Sequence, residues 1–252
     1  MSSKSEIKPY KKSAEYSYTL GAFPTIEMLK SRPEIVRCVY VHSTFTVPEV
    51  LESICVEHHI RIVTADRVIE RLSDKENVFV IGVFDKYEDR ISMDESHLVL
   101  VNPSNMGNMG TIIRTCIGFG IKDLSIISPG VDVFNPKTVR ASMGAVFRIR
   151  HQYFDSFEDY AQVVGTERKM FLFMLSGSEQ ETVLDCEKPE RFSLVFGNEA
   201  TGLDSELEKY GKSIIIPQTD EVDSLNLTIA VGVGAFVFTN HVKMPAKQEI
   251  AT

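Results

Sequence analysis

The sequence has no apolar run long enough to cross a bilayer, and its start, Met1 to Lys12, is polar and Lys-containing without the apolar centre of a secretion signal. This leads us to expect a soluble, cytosolic protein with no membrane partner. Cysteine is scarce: Cys38, Cys55, Cys116 and Cys186 stand singly, with no Cys-x-x-Cys pair and no His at a ligand spacing. The pattern speaks against a disulfide framework and a zinc site and for buried free thiols; no metal is expected. No Gly-x-Gly-x-x-Gly follows a strand-like run, so the common dinucleotide fingerprint is missing. Basic charge is also short. Against 35 Asp and Glu there are 27 Lys and Arg, a net charge of -8, and non-specific affinity for a polyanion comes from cations neutralising phosphates. The distribution matters more than the sum, because Arg114, Arg140, Arg148 and Arg150 cluster in mid-chain.

What is present is an ordinary globular composition: 252 residues, 43% hydrophobic, enough for one large core or two modest ones. From Gly21 to Phe84, helix-like and strand-like segments alternate: Phe23 to Lys30, Arg37 to His42, Pro48 to His58, Ile60 to Thr64, Ala65 to Leu72 and Val78 to Phe84. This predicts a small α/β unit. The stretch Asp85 to Ser96 is charged and nearly free of aliphatic residues, and it reads as a linker or exposed connection. The chain is accordingly divided into residues 1–90, with a polar N-terminal tail, a linker at 91–97, and a second unit at 98–252. In that second unit, short aliphatic runs recur at Leu98 to Val101, Leu124 to Ile127, Met170 to Leu175, Leu194 to Phe196 and Ile214 to Ile216. Runs apolar on both faces and spaced by helical segments predict a parallel sheet covered on both sides. Leu225 to Asn240 is apolar almost all round and contains Ala230, Gly232, Gly234 and Ala235, the pattern of a closely packed or interface helix.

Three segments follow predicted strands, where ligands collect in α/β sheets. In Asn102 to Thr115, Asn108 is a good helix N-cap, Gly107 and Gly110 permit close backbone approach, and Arg114 sits one to two turns in. Alone, this is better explained by a capped helix with a surface Arg, because short Gly/Asn motifs are weak evidence. In Leu194 to Leu203 a strand ends in Gly197, and Asn198 and Glu199 precede a turn containing Gly202. In Ile214 to Thr228 a strand stops at Pro217, a polar loop follows, and Ser224 and Asn226 open the apolar helix, where Ser224 reads equally as its N-cap.

Taken in order, N-M-G-T-I-I-R at 108–114, F-G-N-E-A-T-G-L at 196–203, and I-P followed by S-L-N-L at 224–227 closely resemble the three motifs of the SpoU-type (TrmH-like) ribose methyltransferases of the SPOUT superfamily. N-P-K-T-V-R-A-S-M-G-A at 135–145 is also similar to a family segment, and the likeness runs from Leu98 to His241. The resemblance implies a parallel sheet with a C-terminal trefoil knot, S-adenosyl-L-methionine bent into that knot, and a homodimer through the C-terminal domain whose subunits complete each other's sites. It implies that Gly197, Ile216 and Leu225, with Leu175, Asn198 and Pro217 beside them, line the cofactor pocket. It implies equally that Asn108, Arg114, Glu199, Ser224 and Asn226 form the active site. Two positions depart from the family: the loop after Pro217 reads Gln-Thr-Asp-Glu-Val-Asp, more acidic than usual, and Thr228 stands where Ser is frequent. The N-terminal unit more loosely resembles a ribosomal-protein-like RNA-binding domain.

The implied reaction is methyl transfer to a ribose 2'-hydroxyl of structured RNA, rRNA over tRNA. Arg140, Arg148 and Arg150 are the candidate RNA contacts. In the family Arg114 is the base; a guanidinium stays charged, so a phosphate clamp held by Asn108 and Glu199 is the alternative. Two other readings are a non-catalytic knotted RNA-binding or assembly protein, which a missing Arg114, Glu199 or Asn226 would favour, and a small-molecule enzyme on the same sheet.

Overall fold

The structure, a computed structural model, describes residues 7–73, 77–175, 177, 181–219 and 221–240. The first six residues of the polar tail, Asp220 of the acidic loop and everything from His241 onward lie outside them.

Two sheets form. The first is built from β1 (Tyr16–Tyr18), α1 (Ala22–Ser31), β2 (Val36–Val41), α2 (Glu49–Glu57), β3 (Ile62–Thr64), α3 (Asp66–Leu72) and β4 (Val80–Asp85), in the order β1-β4-β2-β3. β3 lies parallel to β2, and the other pairings are antiparallel. The second contains β5 (His97–Val101), α4 (Met106–Gly118), β6 (Asp123–Ile127), α5 (Pro136–Ala141), β7 (Arg150–Phe154), α6 (Phe157–Val164), β8 (Lys169–Phe173), β9 (Glu181–Thr182), β10 (Phe192–Phe196), β11 (Lys212–Ile215) and α7 (Leu227–Thr239). Its order is β7-β6-β5-β10-β8-β11-β9, and every pairing is parallel, as the aliphatic runs predicted.

Strand alternation explains why both faces need covering. Leu98, Leu100, Leu194 and Phe196 pack with Ile112 and Ile113 of α4 and Phe238 of α7, while Val99, Val195 and Leu172 pack on the other face with Tyr160 of α6. Between the layers, His97 Nε2 donates to the Ser92 carbonyl at 2.7 Å, which leaves Nδ1 to accept from the Tyr160 hydroxyl at 2.9 Å. The Tyr160 oxygen in turn accepts from Ser193 Oγ at 2.6 Å, so the buried polar groups of β5 and β10 are satisfied.

The stretch from Lys86 to Ser96 carries no helix or strand, but it is a packed strap and not an exposed tether. Arg32, at the C-cap of α1, lies 4.1 Å over the Tyr87 ring and pairs with Asp89 at 3.0 Å, the Tyr87 hydroxyl donates to Val146 O at 3.1 Å, and Ile91 is buried. The segment looked solvent-exposed because it is nearly free of aliphatic residues; its packing uses one aromatic ring, one ion pair and the single aliphatic Ile91. The two sheets also share a core: Phe84 of β4 stands 5.0 Å from Phe147 and 5.8 Å from Phe134, ring centroid to centroid. No helix of the described residues is long and apolar enough to cross a membrane.

Candidate functional site

The chain runs from β5 outward to β6 and β7 on one side, while β10 lies on the other, so the carboxyl ends of β5 and β10 mark the point where strand order reverses. The loops leaving these two ends bind one another. Asn198 Nδ2 donates to Asn102 O at 2.7 Å, with Asn102 in the left-handed region at φ 51. Glu199 receives four donors from the start of α4: Ser104 N at 3.1 Å, Ser104 Oγ at 2.8 Å, Asn105 N at 3.2 Å and Asn108 Nδ2 at 3.2 Å. A carboxylate at a helix N-terminus is favoured by the aligned peptide dipoles as well as by the bonds. Partial burial opposes its ionisation, but the donors of its own backbone, Ser104 and Asn108 outweigh that and hold the Glu199 carboxyl below the usual range.

The cap of α4 differs from the expected one. Asn105, not Asn108, is the N-cap, its side chain accepting from Gly107 N at 2.8 Å and Asn108 N at 3.0 Å. Asn108 is thereby free to turn its amide on Glu199. Likewise Asn226, not Ser224, caps α7, accepting from Thr228 N at 2.9 Å and from its hydroxyl at 2.7 Å.

Below these loops lies a cleft of about 330 Å³, within the size range of small-molecule sites. Gly197, Asn198, Leu175, Ile216 and Leu225 line it, with Glu199 and Ser224; Pro217 does not, though its neighbours Ile216 and Gln218 do. Phe173, Thr201 and Leu203 are wall residues that sequence reasoning left out, although the last two lie inside the F-G-N-E-A-T-G-L segment. Gly197 has a strict reason to be glycine: a Cβ there would fall 2.1 Å from Gly202 C and 2.5 Å from Leu203 N, because the loop folds back across it. The floor is the stacked pair Phe173 and Phe196, 4.2 Å between centroids, and Gly234 lets α7 lie on those rings, since a Cβ would meet Phe173 at 2.6 Å.

Among the described lining residues Glu199 is the only charged one. Such a wall suits an apolar ligand that carries a positive charge and offers no cation to a dinucleotide's phosphates. Leu175 is 55% exposed beside the cleft, leaving apolar surface for a ligand to cover.

Arg114 is not gathered into this cluster. It lies six residues beyond Asn108, roughly 9 Å along the helix, is exposed, and has no hydrogen bond or ion pair among the described residues. Asn108 and Glu199, the residues expected to hold Arg114 as a phosphate clamp, hold each other in this chain. The three other arginines also part company. Arg150 is bound to the fully buried Asp123, Nε to Oδ1 at 2.8 Å and Nη2 to Oδ2 at 2.5 Å, and Arg148 pairs with Glu27 of α1. Arg140 has no such partner among the described residues.

Residues 95–236 match the family model described as the SpoU rRNA Methylase family. An uncharacterised tRNA/rRNA methyltransferase of Synechocystis sp. is 31% identical over 138 residues, 54% of this chain and 50% of that protein. A 23S rRNA (guanosine(2553)-2'-O)-methyltransferase of Bacillus subtilis is 27% identical over 149 residues, 58% of each chain. The match thus spans little more than half the length of these curated relatives. Among solved structures, an AdoMet-bound rRNA methyltransferase from Sinorhizobium meliloti aligns with a TM-score of 0.78 at 25% identity, covering 90% of this chain and 88% of that one.

Proposed function

This chain belongs to the SpoU rRNA methylase family, and on that premise we propose that it transfers a methyl group from S-adenosyl-L-methionine to a ribose 2'-hydroxyl of structured RNA, rRNA in preference to tRNA. The observation that carries the reading is the joining of Asn108 to Glu199 above a cleft whose only charged wall residue, among the described residues, is that carboxylate. The bound cofactor supplies an electrophilic methyl carbon on a sulfonium. Gly197, Asn198, Ile216 and Leu225, with Leu175 at the margin, hold its apolar parts, and Glu199 complements its positive charge. The C-terminal trefoil knot belongs to this reading, as do the division at residues 90 and 98 and a cytosolic location.

The acceptor hydroxyl must lose a proton as the new bond forms, and the chain's part is to position it. Arg114 grips the neighbouring phosphate through its planar fork, stabilising the oxygen as negative charge develops. Ser224 and the Asn226 cap fix the loop that closes the cleft. Because Arg114 stands apart from Glu199 of its own chain, it serves the cleft of a second copy. The helix that follows the cleft supports such a homodimer: Ile229 is 55% and Phe236 50% exposed on α7, and Phe119, just past α4, meets Phe236 edge-on at 6.0 Å. The N-terminal unit and Arg140 contact the RNA, while Arg148 and Arg150 are held by Glu27 and Asp123.

Mixing Arg114→Ala with Gly197→Ala protein tests this arrangement. Hybrid dimers are expected to regain part of the methyl-transfer activity that each variant lacks alone; no recovery, or a monomer by analytical ultracentrifugation, would remove the shared site.

A further inference from the structure

In an acidic protein the cations that matter for a polyanion are those left without a carboxylate. Many are taken: Arg32 by Asp89, Arg37 by Asp85, Lys86 by Asp132, Arg148 by Glu27, Arg150 by Asp123, Lys212 by Glu181. Lys137 and Arg140, one turn apart on α5, have no ion pair or hydrogen bond from their side chains among the described residues. They are not isolated from the cleft. α5 packs directly on α4, so closely that a Cβ at Gly110 would fall 2.5 Å from Ala141 Cβ and 2.6 Å from Thr138 O.

The same surface continues onto the first sheet. After α5 the chain turns through Met143, a non-glycine residue in the left-handed region at φ 52, and Gly144 at φ 82. A Cβ at Gly144 would lie 2.5 Å from Glu27 Cβ and 3.5 Å from Pro24 Cα, so this turn rests on the first turns of α1. Beside it, Phe23 presents its ring to solvent, 55% exposed, and Met143 is 39% exposed. A large aromatic left in water on the helix that meets the turn after α5, with unpaired cations on α5 itself, has the composition of a single-strand nucleic-acid track, in which backbone phosphates meet cations and unstacked bases lie on rings.

We propose that the RNA substrate leaves the cleft over α4 and α5 and crosses to α1, with Lys137 and Arg140 taking backbone phosphates and Phe23 stacking an unpaired base beside Met143. This rests on the RNA-methyltransferase reading above. It names where the strand runs, and it ties the two sheets together through the substrate as well as through their common core.

The test uses the full chain and a transcribed RNA hairpin with an unpaired loop, with affinity measured by fluorescence anisotropy from about 50 to about 200 mM salt. Each phosphate contact contributes about 0.7 to 0.9 to the slope of log affinity against log salt, so the double variant Lys137→Ala/Arg140→Ala is expected to lower that slope by about 1.5. Phe23→Ala is expected to weaken binding about ten-fold without altering the slope, and Phe23→Trp to keep it. Lys122→Ala, at the opposite end of β6 from the cleft, serves as the control and keeps the wild-type slope. Cofactor affinity and methyl transfer to total RNA are read on the same samples. An unchanged slope in the double variant, or unchanged affinity in Phe23→Ala, overturns the track. A wild-type protein that binds the hairpin but methylates no RNA would instead overturn the enzymatic reading.

Discussion

Asn108 Nδ2 stands 3.2 Å from Glu199 Oε1, a side-chain hydrogen bond that fixes the first turn of α4 to the loop leaving β10. Glu199 is the common acceptor for that amide and for the Ser104 and Asn105 donors, so its replacement shows how far the two loops depend on it. Glutamine offers one acceptor oxygen in place of two and turns its own NH2 against donors. Glu199→Gln is expected to cost about 1–2 kcal/mol of stability and to weaken cofactor binding. Asn108→Ala removes a single donor and should cost less. Thermal unfolding and isothermal titration on the two variants check the order; equal effects would detach Glu199 from the other donors.

Gly197 makes a sterically sharper case. The 2.1 Å approach to Gly202 C leaves no room for any side chain, and the obstacle is backbone. Gly197→Ala should displace the 198–203 loop, cost at least the roughly 1–3 kcal/mol typical of an overpacked site, and reduce S-adenosylmethionine affinity at least ten-fold. Wild-type affinity by titration would mean that the fold-back loop is not part of the cofactor site.

What was legible in the sequence was what is local. The aliphatic runs located β5, β6, β8, β10 and β11 to within about two residues, since each strand is apolar on both faces. β7 was missed because Arg-His-Gln-Tyr-Phe at a sheet edge carries no aliphatic run. The two caps were each misplaced by two or three residues, at Asn105 and Asn226, because both segments offer several residues able to cap and only the chain's path selects among them. Least legible were the ion pairs. Nothing near Arg150 in sequence announces Asp123, 27 residues away and fully buried, and nothing near Arg148 announces Glu27.

That pairing gives Arg150 a structural task. Arg150→Ala would strand a buried carboxylate, at a cost of about 3–5 kcal/mol. Chemical denaturation should show this loss, while Arg140→Ala should leave stability within about 0.5 kcal/mol of wild type. The opposite order would show that the Asp123 pair contributes little.

Two buried histidines set the acid limit. Burial drives His97 down to about 4 despite its bond to the Ser92 carbonyl, and it drives His151 down to about 4 despite Asp89 at 4.0 Å. In the unfolded chain both titrate near 6.5, so between about pH 6.5 and pH 4 the unfolded state binds more protons. Stability therefore rises with pH through that window: it is fully present above about 6.5 and declines as the pH falls, by up to about 3 kcal/mol per histidine. Urea midpoints at pH 7 and 5 should differ accordingly, and a flat profile would contradict neutral burial of both rings.

Arg114 and the identity of the methylated atom can be settled together. The wild-type protein and its Arg114→Lys and Arg114→Ala variants are incubated with S-adenosylmethionine labelled in its methyl group and with RNA from cells lacking the gene. The RNA is then digested to nucleosides, which are separated by chromatography and fragmented in a mass spectrometer to show whether the label stays with the ribose or with the base. The account predicts label in a 2'-O-methylated nucleoside, a partial rate with Lys and almost none with Ala, and cofactor affinity equal in all three. Label on a base, or no label from the wild-type protein while S-adenosylmethionine binds, would contradict ribose methylation, and wild-type rates in Arg114→Ala would leave this residue with no part in it.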